Sequence, residues 1–282
     1  MSIKVTKMQG CGNDFVILEH DEFLKMNMKM SEAAKKLCDR NFGVGADGLI
    51  IPNLNTDDAD IGWFFYNSDG STAQMCGNGI RCFAKYVYDK GYVDKKEFSV
   101  NTLAGIIKPK ILDDGQVRVN MSKPILESEK IPFLSANNLN YKMSVKNMIF
   151  EGNAVSMGNP HFVIFVSPED DTLKFAKEFG PIIETSTEFP EKTNVEFIKI
   201  LSRKKIELRV WERGCGITLA CGTGACASVV AGILNGYIEN SVDVELLGGT
   251  VHIDWEGSKE DTNHNVFMTG PAEYSFEAEV RV

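Results

Sequence analysis

The 282 residues are 43% hydrophobic and 24% charged, enough for one large core or two of ordinary size and far from the make-up of a disordered, collagenous or coiled-coil chain. Thirty Lys and Arg against 39 Asp and Glu give a net charge of -9, and the basic stretches at 25–40 and 203–205 are short and interrupted. No nucleic acid and no anionic membrane is expected as a partner. The opening decapeptide has no apolar leader core, no apolar run has membrane-spanning length, and seven cysteines without a C-x-x-C pair fit a reduced cytoplasmic protein.

In chain order the pattern predicts a helix over 31–41 stopped near Gly43, a strand over 63–66, and a helix over 77–90. Residues 123–132, with two prolines, read as a crossover. A strand over 162–166 follows, then a helix over 172–179 ended by Gly180-Pro181, and strands over 195–200 and 206–211. A helix over 222–235 and a strand over 242–247 complete the pattern. The helices at 77–90 and 222–235 are apolar on nearly every face, so each is expected at the centre of its own layer of strands.

Those two helices reveal an internal repeat. Cys76-Gly77-Asn78-Gly79 lies over Cys221-Gly222-Thr223-Gly224, Gly91-Tyr92 over Gly236-Tyr237, and Phe65-Tyr66-Asn67 over Val210-Trp211-Glu212, all at one offset. A weaker match joins Gly12-Asn13-Asp14-Phe15 to Gly158-Asn159-Pro160-His161-Phe162, with one residue inserted. The chain reads as two copies of one unit, 1–122 with 269–282 and 123–268.

Each copy sets a Gly-flanked cysteine where a strand-and-turn region enters a helix. Unpaired backbone N–H groups there favour an anion, drawing the thiol toward thiolate and offering a cradle for a carboxylate. Two such thiols facing one carbon form an acid and a base, which suits inversion at an α-carbon without metal or cofactor. Cys38, Cys82 and Cys226 read as packing residues, and Cys11 and Cys215 as small residues filling space near the site. Gly43-Val44-Gly45-Ala46-Asp47-Gly48 has the G-x-G-x-x-G form, but it follows a helix and leads into an apolar run, the reverse of the dinucleotide-binding order. The C-x5-C pairs Cys76/Cys82 and Cys215/Cys221 lack zinc or iron–sulfur spacing, so no metal site is expected.

Seven blocks in order resemble the diaminopimelate epimerases, a family of cofactor-independent two-base racemases. They are Gly10-Cys11-Gly12-Asn13-Asp14-Phe15, Gly43-Val44-Gly45-Ala46-Asp47-Gly48, Asn67-Ser68-Asp69-Gly70-Ser71, Met75-Cys76-Gly77-Asn78-Gly79-Ile80-Arg81-Cys82, Gly158-Asn159-Pro160-His161, Thr193-Asn194-Val195, and Glu212-Arg213-Gly214 running to Ala220-Cys221-Gly222-Thr223-Gly224-Ala225-Cys226. The resemblance implies an α/β (α+β) fold of two pseudo-symmetric domains, each a mostly antiparallel sheet around a central helix, with the site in the cleft between them. It implies Cys76 and Cys221 as the acid–base pair and diaminopimelate as the small-molecule substrate, inverted from the LL to the meso form in lysine and cell-wall precursor synthesis, with a homodimer as the assembly. Gly77, Asn78, Gly222 and Thr223 would hold the reacting group, Arg213 would fork onto a distal carboxylate, Glu212 would hold an ammonium, and Asn13, Asn67, Asn159 and Asn194 would donate and accept. His161 would orient rather than act as a base. Two positions depart from the family pattern: Gly48 stands where some members carry Gln, and Ile217 where many carry Glu. Three other readings compete: a proline or hydroxyproline racemase, a thiol redox sensor joining Cys76 to Cys221, and a cofactor-free binding module.

Overall fold

The computed structural model describes residues 2–282, in two compact units: the chain up to Val119 together with Thr269–Val282, and Asn120–Met268. The first unit runs β1 Ser2–Gly10, β2 Asn13–Ile17, α1 His20–Lys25, α2 Met30–Cys38, β3 Gly48–Asn53, β4 Ile61–Asn67, α3 Gly77–Asp89, β5 Val100–Thr102, β6 Gly105–Ile107, β7 Lys110–Ile111 and β8 Val117–Asn120. The second runs β9 Tyr141–Val145, β10 Met148–Ser156, β11 Pro160–Phe165, α4 Thr172–Glu184, β12 Asn194–Ser202, β13 Lys205–Glu212, β14 Gly216–Ile217, α5 Gly222–Leu234, β15 Ser241–Glu245, β16 Thr250–Trp255 and β17 Val266–Gly270. The last strand, β18 Glu273–Arg281, belongs to the first unit. Among the described residues no helix is long and apolar enough to cross a membrane.

The first unit's sheet has the order β18-β1-β2-β3-β4-β5-β6, and the second unit's strands run β9-β10-β11-β12-β13-β15-β16-β17 with β14 beside β13. From β1 to β6 the pairings alternate antiparallel, parallel, antiparallel, parallel, antiparallel. The series from β10 through β13 to β15 and β16 repeats the alternation. Parallel neighbours need a crossover, and each one carries a helix: α2 before β3, α3 before β5, α4 before β12 and α5 before β15. The repeat holds to the residue, since Phe15 pairs with Gly48 as His161 pairs with Asn194.

Helices cover both faces of each sheet, so the inner strands β3 and β11 are buried almost throughout and read as continuous apolar runs. In the first unit Val16, Leu18, Leu49 and Ile51 meet Phe23 of α1 and Ala33, Ala34 and Leu37 of α2. The alternate residues Phe15, Trp63 and Phe65 turn to the other face, where Trp63 meets Phe83 of α3 at 5.5 Å between ring centroids. In the second unit Phe162, Ile164, Val195 and Phe197 pack on Ala176, Phe179 and Ile183 of α4. The period of two therefore turns His161 and Glu196 together toward the face of α5.

The central helices α3 and α5 begin and end at equivalent places. Cys76 and Cys221 are their N-caps, both in extended backbone, and Gly91 (φ 76) and Gly236 (φ 74) stand in the left-handed conformation just past their C-caps. Buried side chains line nearly the whole of both helices, as expected for apolar ones. Two local expectations need correction, and one short helix has no counterpart among the expected elements. The helix expected over 31–41 ends at Cys38, because the carbonyl of Leu37 accepts from Val44 and Gly45 instead of a further turn. The short α1 carries too few apolar positions for its period to show in the sequence. The helix expected to stop at Gly180-Pro181 continues to Glu184 with Pro181 inside it. Proline removes one bond, from the carbonyl of the exposed Lys177, where water substitutes, while Phe179 and Ile183 stay seated in the core on either side.

Gly180 has its own cause. A Cβ there would lie 2.5 Å from Cβ of Trp211, an atom fixed to the backbone of β13. Helix propensity favours alanine over glycine by about 1 kcal/mol, but overpacking costs about 1–3 kcal/mol. Gly180→Ala should therefore lower the urea midpoint; a raised midpoint would show that α4 can lift off Trp211 at little cost.

Candidate active site

In the first unit, a chain of side-chain bonds converges on the start of α3. The Cys76 thiol lies 3.5 Å from Asn13 Oδ1, which also accepts from Asn78 Nδ2 at 3.1 Å. Asn78 Oδ1 accepts from Arg81 at 2.9 Å, and Arg81, fully buried, also donates to the carbonyls of Pro271 at 3.1 Å and Gly77 at 3.2 Å. Asn13 is held from its other end, donating to Asp47 Oδ2 at 2.6 Å. Asp47 and Asp14 share Arg40, and Lys7 bonds Asp14 at 2.9 Å. Burial alone would raise the Asp14 carboxyl, but the hydrogen bonds from Arg40 and Lys7 outweigh it and hold its pKa at about 2. Asn67 ends β4 opposite Gly48 and donates to Ser71 Oγ at 3.0 Å.

In the second unit the surroundings of the equivalent cysteine differ. Cys221 is buried, its sulfur accepting from the N–H of Gly224 at 3.4 Å and lying 3.6 Å from Thr223 Oγ1. His161 and Glu196, both fully buried, meet through Nδ1 and Oε1 at 2.7 Å, and His161 Nε2 faces Asn159 Oδ1 at 3.0 Å. Asn194 donates to the carbonyl of Pro160 at 2.8 Å and accepts from the N–H of Arg213 at 2.9 Å. The Arg213 guanidinium is exposed, with one nitrogen on the carbonyl of Glu191 at 3.0 Å. Glu212 accepts from Thr218 Oγ1, and burial raises its carboxyl pKa above the usual range.

The expectation that a helix start draws the thiol toward thiolate fails for Cys221. Burial raises its pKa first, and the nearby carboxylates of Glu212 and Glu196 raise it further, outweighing the bonds from Thr223 and Gly224. Desolvation dominates because the sulfur has almost no contact with water. Cys215, expected to fill space, is instead exposed at the turn between β13 and β14, whereas Cys11 is buried.

Four residues at the site were given no role by the motifs. Arg81 and Glu196 are charged side chains inside apolar elements, and Glu196 stands at the repeat position of Ile50, the one signal that could have exposed it. Glu184 accepts from Trp211 Nε1 at 2.7 Å and from the N–H of Gly214 at 2.9 Å, fixing the Glu212-Arg213-Gly214 turn. Arg40 ties Asp14 to Asp47. The two departures have physical reasons as well. A Cβ on Gly48 would lie 2.7 Å from the Phe65 ring and 2.9 Å from the carbonyl of Tyr66, and Ile217 packs against the α4 core.

The fold places the chain in a structural class that has solved members. The chain superposes on a crystal structure of a Bacillus anthracis phenazine biosynthesis protein of the PhzF family with a TM-score of 0.68 at 16% identity, covering 100% of both chains. It also superposes on a hydroxyproline epimerase from Agrobacterium vitis with a TM-score of 0.68 at 11% identity, covering 99% of this chain and 92% of that one. Within that class the sequence is decisive. The diaminopimelate epimerase family model matches residues 5–127 and 153–275. Diaminopimelate epimerases of Desulfitobacterium hafniense (48% identical; 97% of this chain, 96% of that one) and Carboxydothermus hydrogenoformans (49%; 97% of each) align almost end to end. The chain belongs to the diaminopimelate epimerase family.

The raised Cys221 pKa is open to direct measurement. Iodoacetamide should modify Cys221 slowly at neutral pH, as read by peptide mass spectrometry, and Glu212→Gln should speed the reaction by removing a carboxylate that opposes the thiolate. An unchanged rate would mean that Glu212 does not oppose the thiolate.

Proposed function

We propose that this chain inverts one α-carbon of LL-2,6-diaminopimelate to give the meso form, with Cys76 and Cys221 as the two bases, in the cytoplasmic synthesis of lysine and cell-wall precursor. The observation that carries the reading is the repeat itself: two cysteines cap two equivalent buried helices, and each helix presents a glycine and then a small polar residue, Gly77-Asn78 and Gly222-Thr223. Free N–H groups at both starts suit a carboxylate that becomes enolate-like as the α-proton leaves. Productive chemistry needs one thiolate and one thiol. Burial beside Glu212 and Glu196 keeps Cys221 the thiol in the resting chain, so Cys76 takes the first proton and Cys221 gives its own to the opposite face.

The remaining polar groups suit a substrate with a second amino-acid end. Arg213 keeps donors free for the distal carboxylate, Glu212 meets an ammonium, and Asn13, Asn67, Asn159 and Asn194 complete the set, with His161 orienting Asn159. A proline-like ring has no distal charges for Glu212 and Arg213 to meet. The homodimer also belongs to this reading: β18 is an edge strand that leaves Tyr274 and Phe276 exposed, an edge that a second copy can cover.

Incubation with LL-diaminopimelate in D2O tests the mechanism. Meso product should carry solvent deuterium at one α-carbon while early unreacted substrate carries none, because the opposite thiol delivers a solvent-derived deuteron whereas the thiol that took the α-proton returns that same proton before it exchanges. Cys76→Ala and Cys221→Ala should each abolish epimerisation without unfolding the chain, and near-normal turnover in either would overturn the two-base assignment. Arg213→Lys should lower kcat/KM about 10-fold or more, because a point ammonium cannot reproduce a charge-assisted fork of roughly 1.5–3 kcal/mol. Unchanged kinetics would remove Arg213 from substrate recognition.

A further inference from the structure

Around Cys221 the second unit gathers three different ligand types. His161, Glu196 and Cys221, all buried, place an imidazole nitrogen, a carboxylate oxygen and the thiol sulfur within 4.8 Å of one another. We propose that this trio is a binding site for a thiophilic divalent metal ion, zinc or cadmium, and that filling it takes Cys221 out of the reaction.

Three features of the site support the assignment. First, His161 is oriented as ligating histidines are: Nε2 faces the acceptor Asn159 Oδ1, which holds a ring hydrogen on that side, so Nδ1, beside Glu196, is the nitrogen that a metal ion takes by displacing the proton between Nδ1 and Oε1. Second, Glu196 Oε2 is buried and has no hydrogen-bond partner among the described residues, although Oε1 is bonded. A buried carboxylate oxygen without a donor is an acceptor in want of a cation. Third, the ligand set matches the charge of the ion: a dication, a thiolate, a carboxylate and a neutral imidazole sum to zero, the protons displaced from the ligands pass to solvent, and the carboxylate of Glu212 lies nearby.

The distances suit the ion. Bond lengths of about 2.0–2.3 Å in a tetrahedron put ligand atoms roughly 3.3–3.8 Å apart. The farthest pair of the trio has to close by about 1–1.5 Å and Nδ1 and Oε1, now 2.7 Å apart, have to open by about half an ångström, with the fourth position left to water. Thiolate and imidazole select zinc or cadmium over magnesium or calcium, which prefer all-oxygen sites. The first unit supplies a built-in comparison, because Phe15 and Ile50 stand where the second unit has His161 and Glu196.

Loss of epimerisation on filling the site rests on the reading of Cys221 as a base; metal binding does not. The full chain is titrated with Cd2+ while the ultraviolet thiolate-to-cadmium band and epimerisation are followed together. One equivalent should raise the band and abolish activity in parallel, and a chelator should reverse both. Cys221→Ser should remove the band, Asn159→Ala should weaken binding about 10–100-fold by freeing the imidazole, and Glu196→Gln should weaken it more. Cys76→Ser and Cys215→Ser should leave it in place. No band in the unaltered chain, a band that survives Cys221→Ser, or one that disappears with Cys215→Ser would overturn the site. A band lost only with Cys221 while epimerisation continues undiminished would uphold the metal site and remove Cys221 from the reaction.

Discussion

A helix buried over almost its whole length can exist in water only if strands and other helices enclose it, and this protein has two of them. Their enclosure dictates much else. Enclosing α3 and α5 places each in a parallel crossover between strands of a mixed sheet, leaves the opposite sheet face to α2 or α4, and buries the inner strands on both sides. Side chains cannot mask the helix ends without blocking the N–H groups, so small residues follow each capping cysteine. Chemistry at the start of α3 or α5 is thus a consequence of how the helix is buried.

Symmetry of backbone does not extend to symmetry of charge. Under Cys76 the repeat places Phe15 and Ile50, and the polar support comes from the side through Asn13, Asn78 and the buried Arg81. Under Cys221 it places His161 and Glu196, with Glu212 close by. At these two repeat positions the first unit is aromatic and aliphatic and the second ionisable. Two thiols that share one proton can serve as acid and base in either direction, and unequal surroundings bias which of them holds that proton before substrate arrives. The same ionisable set that keeps Cys221 protonated gives it the ligand types of a thiophilic metal site.

The repeat, the two buried helices, their capping cysteines and the family were all legible in the sequence, because each is written in local order: a period, a spacing, a motif. The β strands around 63–66, 162–166, 195–200 and 206–211 were equally plain, the first three as runs of mostly buried residues and the last as an alternation of buried and half-exposed ones. Helix ends were less legible. Pro181 marks a stop in local terms, yet Phe179 and Ile183 on either side of it are held in one core, and that packing outweighs one lost hydrogen bond.

Local order alone determined that this is a doubled α/β chain with a Gly-flanked cysteine at the head of each central helix. Only tertiary structure decided what surrounds those cysteines. Glu196 and His161 lie 35 residues apart in the chain and on neighbouring strands, and they meet because parallel pairing in one register turns both toward α5. Cys221 is a further 25 residues beyond Glu196. No short spacing records such a meeting, so neither the raised thiol pKa nor the three-ligand cluster could be read from the motifs. Proton affinity and metal affinity depend on distances through space and on exclusion of water, and both exist only once the strands have paired and the helix has been enclosed.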